Sequence, residues 1–280
     1  MSKQLGAFVV LTFAISWAIW LAMVAGSVSI ETTPGLVLNV MATAGPSIAA
    51  LILAIAMGRG ELRRLLDGFS PGRVAPRWAL VALILPLGMI AVAIGFSVGV
   101  FGAAVPVVTT AVVGALVVEF VRVLFLGGPL EEELGWRGFA LPRLQATRSA
   151  FTASVLLGAV WGVWHIPLYF VSGTGQQETA ASAGTEFAIG AFVVWTIGLS
   201  ILFTWLFNQT RGSLIVVMLF HAAVNLGAFV PGAVGSTGAA WFLYALVTWI
   251  VALIVAVRFG HENLATRPRV GTGEALGSAD

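Results

Sequence analysis

The chain has 280 residues, of which 59% are hydrophobic and only 9% charged. A soluble domain carries roughly 25% charged residues, so water is not the main solvent of this fold. The net charge of +2 comes with no single basic patch, so nucleic acid is not an expected partner. The absence of cysteine excludes disulfides, thiol nucleophiles and cysteine-ligated metals and leaves the redox compartment open.

Apolar runs near 6–27, 36–58, 78–100, 106–127, 149–172, 187–207, 212–231 and 239–258 predict an all-α, polytopic transmembrane bundle of about eight spans. Each run is close to the roughly 20 residues that cross a bilayer core. The first, from Gly6 to Val24, exceeds a signal-peptide core of roughly 7–15 residues and is expected to be the first membrane helix. The fourth runs into Gly127-Gly128-Pro129, after which helix is expected to restart through Leu141, with Pro129 in the first turn, where its missing N–H costs nothing. Helices interrupted at membrane depth line protein-enclosed cavities. The polar stretch Gly173–Glu186 is expected to be a flexible loop. Residues 1–260 are expected to form one membrane domain, and the polar, Gly-rich segment 261–280 a disordered tail. Trp17, Trp20, Trp78 and Trp241 are expected as interfacial anchors. No internal repeat suggests the inverted duplication of a transporter.

Arginine placement predicts orientation. Arg59, Arg63, Arg64, Arg73 and Arg77 fall between spans two and three, Arg143 and Arg148 after the fourth, Arg211 after the sixth, and Arg258, Arg267 and Arg269 after the eighth. With Lys3 and an even number of spans, all of these lie on one side. The opposite loops hold Glu31, Glu178 and Glu186. The positive-inside rule then sets both termini in the cytoplasm of a multi-pass cell-membrane protein.

Ionisable groups within membrane spans are costly and mark function by default. Glu131-Glu132-Glu133 and Arg137 sit at the end of span four, His165 in span five, and His221 and Asn225 in span seven; two of the chain's three histidines are thus in apolar helices. Glu133 and Arg137 are spaced i, i+4 for an ion pair. Glu132, about 100° round the helix, is the carboxylate left for chemistry, and Glu131 receives no role. His221 and Asn225 also share a face at i, i+4. Counted from the basic ends, Glu132, His165 and His221 all lie some 13–25 Å deep, at ~1.5 Å per residue. A carboxylate and an imidazole together can deprotonate water. A second imidazole and an amide can donate to the oxyanion of a tetrahedral intermediate. Glu119 and Arg122, at i, i+3 within span four, are expected to form a structural pair.

The pattern Glu132-Glu133-x-x-x-Arg137, then Trp161-x-x-x-His165, then His221-x-x-x-Asn225 resembles the CAAX-processing and bacteriocin-processing intramembrane proteases, which include the Ras-converting prenyl-protein endopeptidases. The resemblance covers roughly 128–225. It implies a glutamic-type intramembrane endopeptidase with no cofactor, acting on a membrane-associated, lipidated C-terminal peptide or protein. Glu132 would activate water with help from His165, His221 and Asn225 would form the oxyanion site, and Glu133 and Arg137 would complete the first motif. Trp161 departs from the family's usual Phe, keeping the aromatic wall but narrowing the cavity. Three other readings stay open. Glu132, His165 and His221 form a two-His, one-carboxylate set that can hold zinc, although no His-Glu-x-x-His signature is present. The fold can also serve as a non-catalytic scaffold or bacteriocin-immunity protein, or as an ion-coupled transporter. The Gly235–Gly238 stretch with Ser236 falls in a loop away from the basic side, which argues against a serine protease.

Overall fold

The computed structural model describes residues 2–235 and 240–271, so Ser236 lies outside the described residues. Every regular element among them is helical, as lipid requires of backbone that must satisfy its own hydrogen bonds. Among the described residues six spans are long and apolar enough to cross a membrane. They are α1 (Lys3–Ala25), α5 (Pro76–Phe101), the composite span Thr110–Gln145, α11 (Thr185–Gln209), α12 (Leu214–Ala233) and α13 (Ala240–Phe259). The composite span comprises α6 (Thr110–Leu126), α7 (Pro129–Glu133), a π-helical turn Leu134–Ala140 and α8 (Leu141–Gln145).

A seventh crossing comes from α2 (Thr33–Thr43) and α3 (Gly45–Met57), which meet at 44°. Pro46, in the first turn of α3, cannot donate back across the junction. Ser16 on α1 instead bonds the Ala42 carbonyl at 2.7 Å. The run expected at 149–172 is divided. Its helix α9 (Ala150–Trp164) has 15 residues, about 22 Å, and gives way at His165 to a 3₁₀ turn, Ile166–Tyr169, that contains Pro167. Among the described residues six helices, or seven with the bent pair, therefore meet the length and composition of a span, against the eight expected.

Small residues set the closest packing. A Cβ on Gly158 would lie 2.6 Å from the Ile197 backbone, and one on Gly162 would lie 2.9 Å from that of Val193. This i, i+4 glycine pair lets α9 seat directly on α11, the contact mode of membrane helices that lack a hydrophobic driving force between them.

Several expectations are corrected. The stretch 173–186 contains a helix, α10 (Gly175–Ala183), whose N-cap Thr174 is buried and bonds the Leu168 carbonyl at 2.6 Å. The tail begins as folded chain. Glu262 O accepts from Ala150 N at 2.9 Å, Asn263 O accepts from Asn208 at 2.8 Å, Arg269 bonds Gln145 O at 2.9 Å, and Leu264 is buried. The helix ends of α8, α9 and α11 offer unpaired polar groups, and residues 261–271 satisfy them; residues 272–280 lie outside the described residues. Trp20 is fully buried, donates to Asn39 at 2.9 Å and packs on Trp164, while Trp17 donates to Trp164 O at 3.0 Å. Both serve the core rather than an interface.

The basic segments meet at one end. Arg73 donates to Arg211 O at 2.8 Å. Arg143 bonds Glu61 at 2.6 Å, and Arg64 pairs with the same carboxylate, tying α4 (Arg59–Leu66) to α8. Burial pushes the Glu61 carboxyl up, but the hydrogen bonds and charges of Arg64 and Arg143 outweigh it and hold Glu61 below the ordinary carboxylate range.

Candidate functional site

The site grows from the break in the composite span. Gly127 ends α6, and Gly128 takes φ 113°, a left-handed conformation that favours glycine. Glu131, three residues on, accepts from Gly128 N at 3.1 Å; it is a buried cap. On the other side of the break Gly127 O accepts from Asn225 Nδ2 at 3.0 Å. The polar groups freed by the interruption are thus taken up by a carboxylate and a carboxamide, as the absence of water at this depth demands.

The restarted helix carries the three glutamates and then widens into the π turn, a form concentrated at functional sites. Glu133, fully buried, receives Arg137 Nη1 at 2.8 Å, and His221 Nδ1 lies 2.6 Å from the same oxygen. The expected ion pair therefore forms, and a histidine joins it across 88 residues of sequence. Arg137 has no solvent exposure. Its guanidinium lies 4.5 Å from the Trp161 ring centroid and 3.9 Å from that of Phe203, so two π faces share the work of holding a cation in a dry site.

Glu132 points elsewhere, as the helical rotation predicted. Its Oε2 accepts from the indole N–H of Trp161 at 2.7 Å. Its Oε1 sits against the side of Gly128 that carries no side chain: a Cβ there would stand 2.6 Å from Oε1 and 3.6 Å from His221 Cε1. A β-carbon would collide with the carboxylate, so glycine is what admits Glu132 Oε1 to this position beside His221.

His165 caps the C-terminus of α9. Its Nδ1 lies 2.7 Å from Trp161 O. A carbonyl only accepts, so Nδ1 carries the proton, and in the neutral tautomer this leaves Nε2 as the acceptor. His165 was expected to act beside Glu132; the structure links the two through Trp161, which donates to one, accepts from the other and sets its ring edge-on to both His165 and His221 at 5.6 and 5.5 Å. Trp161 is thus a hub as well as the expected wall. The alternation of aromatic and His at i, i+4 signalled a shared helix face; the indole's reach to Glu132 left no mark in the sequence.

All seven predicted site residues, Glu132, Glu133, Arg137, Trp161, His165, His221 and Asn225, fall within this connected set. Among the described residues no three His, Asp or Glu side chains gather as a metal-binding group. Both histidines have Nδ1 engaged, His165 with a carbonyl and His221 with Glu133.

The fold and the site together define a polytopic helical membrane protein with an acid, histidine and amide cluster buried at a broken span. Residues 114–227 match the model of the Rce1-like family, described as Type II CAAX prenyl endopeptidase Rce1-like. The chain is also 38% identical over 113 residues to CAAX prenyl protease 2 of Methanococcus maripaludis, an alignment that covers 39% of this chain and 40% of that protein. That alignment therefore spans less than half of the relative's length.

Proposed function

We propose that the chain is an intramembrane endopeptidase of the glutamic type that hydrolyses a peptide bond near the C-terminus of a lipidated, membrane-associated substrate. The observation that carries this reading is the placement of Glu132 Oε1 and His221 together against the bare side of Gly128, with the other Glu132 oxygen held by Trp161. A water molecule bound at Oε1 meets a carboxylate already fixed in orientation. Glu132 takes the proton as the water adds to the scissile carbonyl, and His165, with Nε2 free to accept, assists. In that step the C–O bond forms and the carbonyl π pair moves onto its oxygen. The resulting oxyanion is stabilised by donors preorganised before reaction. Asn225 offers its second amide N–H. His221, oriented by Glu133 at its Nδ1, lines the oxyanion beside it. Collapse of the intermediate expels the amine, which takes the proton that Glu132 received. Glu133 and Arg137 orient the set and are not spent.

The remaining expectations follow as parts of the same proposal. Eight crossings with both ends cytoplasmic are favoured by the meeting of the loops around Arg73, Arg211 and Arg143 with the folded tail at one end. That orientation puts the basic end on the cytoplasmic side of the cell membrane, where lipidated proteins are anchored. A prenylated tail is the substrate class suggested by the relative's name.

The test is cleavage of a fluorogenic, lipidated C-terminal peptide by the purified protein in detergent. Wild type, Glu132→Gln and His165→Ala are compared, each with and without a zinc chelator. Activity that resists the chelator and is lost in both variants is expected. Activity abolished by the chelator, or retained in Glu132→Gln, overturns the proposal.

A further inference from the structure

The Glu119–Arg122 pair is not used by the site. It sits on α6, the first helix of the composite span, whose most apolar stretch is 11% buried; the other five long spans range from 28% to 67%. Its neighbours are α12 and α7, and its outer face is open. Arg122 Nε and Nη2 bond the two carboxylate oxygens of Glu119 at 2.7 and 2.5 Å, yet the side chains remain 42% and 23% exposed. Glu119 lies nine residues into the helix, about 14 Å from its start, and so near the middle of the bilayer.

An ion pair at that depth is expected to face protein or enclosed water rather than lipid. The fork leaves the Arg122 Nη1 amino group and the outer carboxylate lone pairs for further partners, and hydrocarbon offers none. A lipid or prenyl tail laid on this face would bury the charges without satisfying them.

The residues around the pair suggest what does. Ala111, Ala115, Val118, Arg122 and Phe125 are all exposed and follow one another at spacings of four, three, four and three. That is the 3.5-residue repeat of a helix–helix seam, and the alanines in its outer half allow close backbone approach. The charges are self-complementary. When two parallel copies of α6 are related by a two-fold axis along the membrane normal, Arg122 of each lies less than one turn in height from Glu119 of the other. The two pairs then close into a ring of alternating charge, an isologous contact in which the same patch serves both sides.

We propose that the open face of α6 is a homodimer interface within the membrane, closed by reciprocal Glu119–Arg122 contacts between two copies of the chain. The chain has no cysteine, so Val118→Cys introduces a single thiol. Oxidation in native membranes is expected to give a cross-linked dimer several-fold more abundant than that from Val257→Cys, which is 87% exposed on α13 and reports random collision. In the Val118→Cys background, Glu119→Arg and Arg122→Glu each set like charges across the two-fold axis, and each is expected to lose the band. Co-expressed with different tags, these two charge variants are expected to cross-link to each other and not to themselves. An intrahelical pair cannot produce that rescue. Two results overturn the proposal: a Val118→Cys band no stronger than that of Val257→Cys, as a monomer with a water-filled cleft here would give, or a band that survives both single charge reversals. The first comparison leaves both charges intact, so it holds even where a reversed variant fails to fold.

Discussion

The fully buried Glu133–Arg137 pair makes a sharp energetic prediction. Glu133→Gln keeps the side chain's shape but removes the ion-pair partner of Arg137. Arg137 is then a buried cation with no anion bonded to it, and its Nε and Nη2 already lack partners. Breaking a buried pair from one side costs about 3–5 kcal/mol. The faces of Trp161 and Phe203 stay in place and hold part of the charge, at up to ~2 kcal/mol for a desolvated cation–π contact, so the lower end, about 3 kcal/mol, is expected. Arg137→Met should cost less than Glu133→Gln, because His221 still donates to Glu133.

The double variant Glu133→Gln/Arg137→Met removes the orphaned charge altogether. It is therefore expected to be more stable than Glu133→Gln alone, a coupling of about 2 kcal/mol or more that neighbouring groups in one network can show. Reversible unfolding in mixed micelles, followed by tryptophan fluorescence, measures all four corners of the cycle. If the two single costs simply add in the double variant, the reasoning fails, because the pair would then contribute through packing and not through mutual compensation of buried charge.

Two further expectations concern the hub and the basic end. Trp161→Phe keeps an aromatic wall but removes the N–H that holds Glu132 Oε2. A hydrogen bond to a charged group is worth about 1.5–3 kcal/mol, so kcat should fall about ten- to hundredfold with KM little changed; a raised KM at constant kcat would mean that Trp161 contacts substrate instead. Glu61 supplies the pH dependence. Its folded carboxyl is held low by Arg64 and Arg143 against burial, so its stabilisation is full above the unfolded value of about 4.3 and is lost as pH falls through the folded one. Thermal unfolding in detergent between about pH 6 and pH 3 should therefore show a steeper acid loss of Tm for wild type than for Glu61→Gln, and parallel curves would contradict the assignment.

What could be read in advance was whatever repeats at helical spacing. Glu133–Arg137 and the shared face of His221 and Asn225 are properties of one helix and follow from 3.6 residues per turn. The break at Gly127-Gly128-Pro129 was legible for the same reason, since glycine and proline act on the backbone where they stand. Contacts between helices were not. Nothing in the sequence joins Glu133 to His221 or Trp161 to Glu132, because helix rotation and tilt are set by packing on small residues such as Gly158 and Gly162. Hydropathy also misjudged polar segments. It reads residues 261–271 as tail, although their value lies in satisfying the helix ends of α8, α9 and α11. It reads Trp20 as an anchor, although Asn39 gives its indole a partner inside.

These failures share a cause that bears on the site itself. In a bilayer the decisive quantity for a polar residue is whether a partner exists, and a partner on another helix is invisible to composition. Asn225 illustrates the consequence. As an isolated amide in a span it reads as packing glue; in place, its Nδ2 closes the Gly127 carbonyl exposed by the broken helix. The same break that requires Asn225 also lets Glu132 Oε1 and His221 approach the bare side of Gly128. Interruption of the span, satisfaction of its loose ends and the meeting of Glu132 with His221 are therefore one structural event. A substitution that healed the helix at Gly128 would drive a β-carbon into the Glu132 carboxylate and leave Glu131 and Asn225 without the backbone groups they now bond.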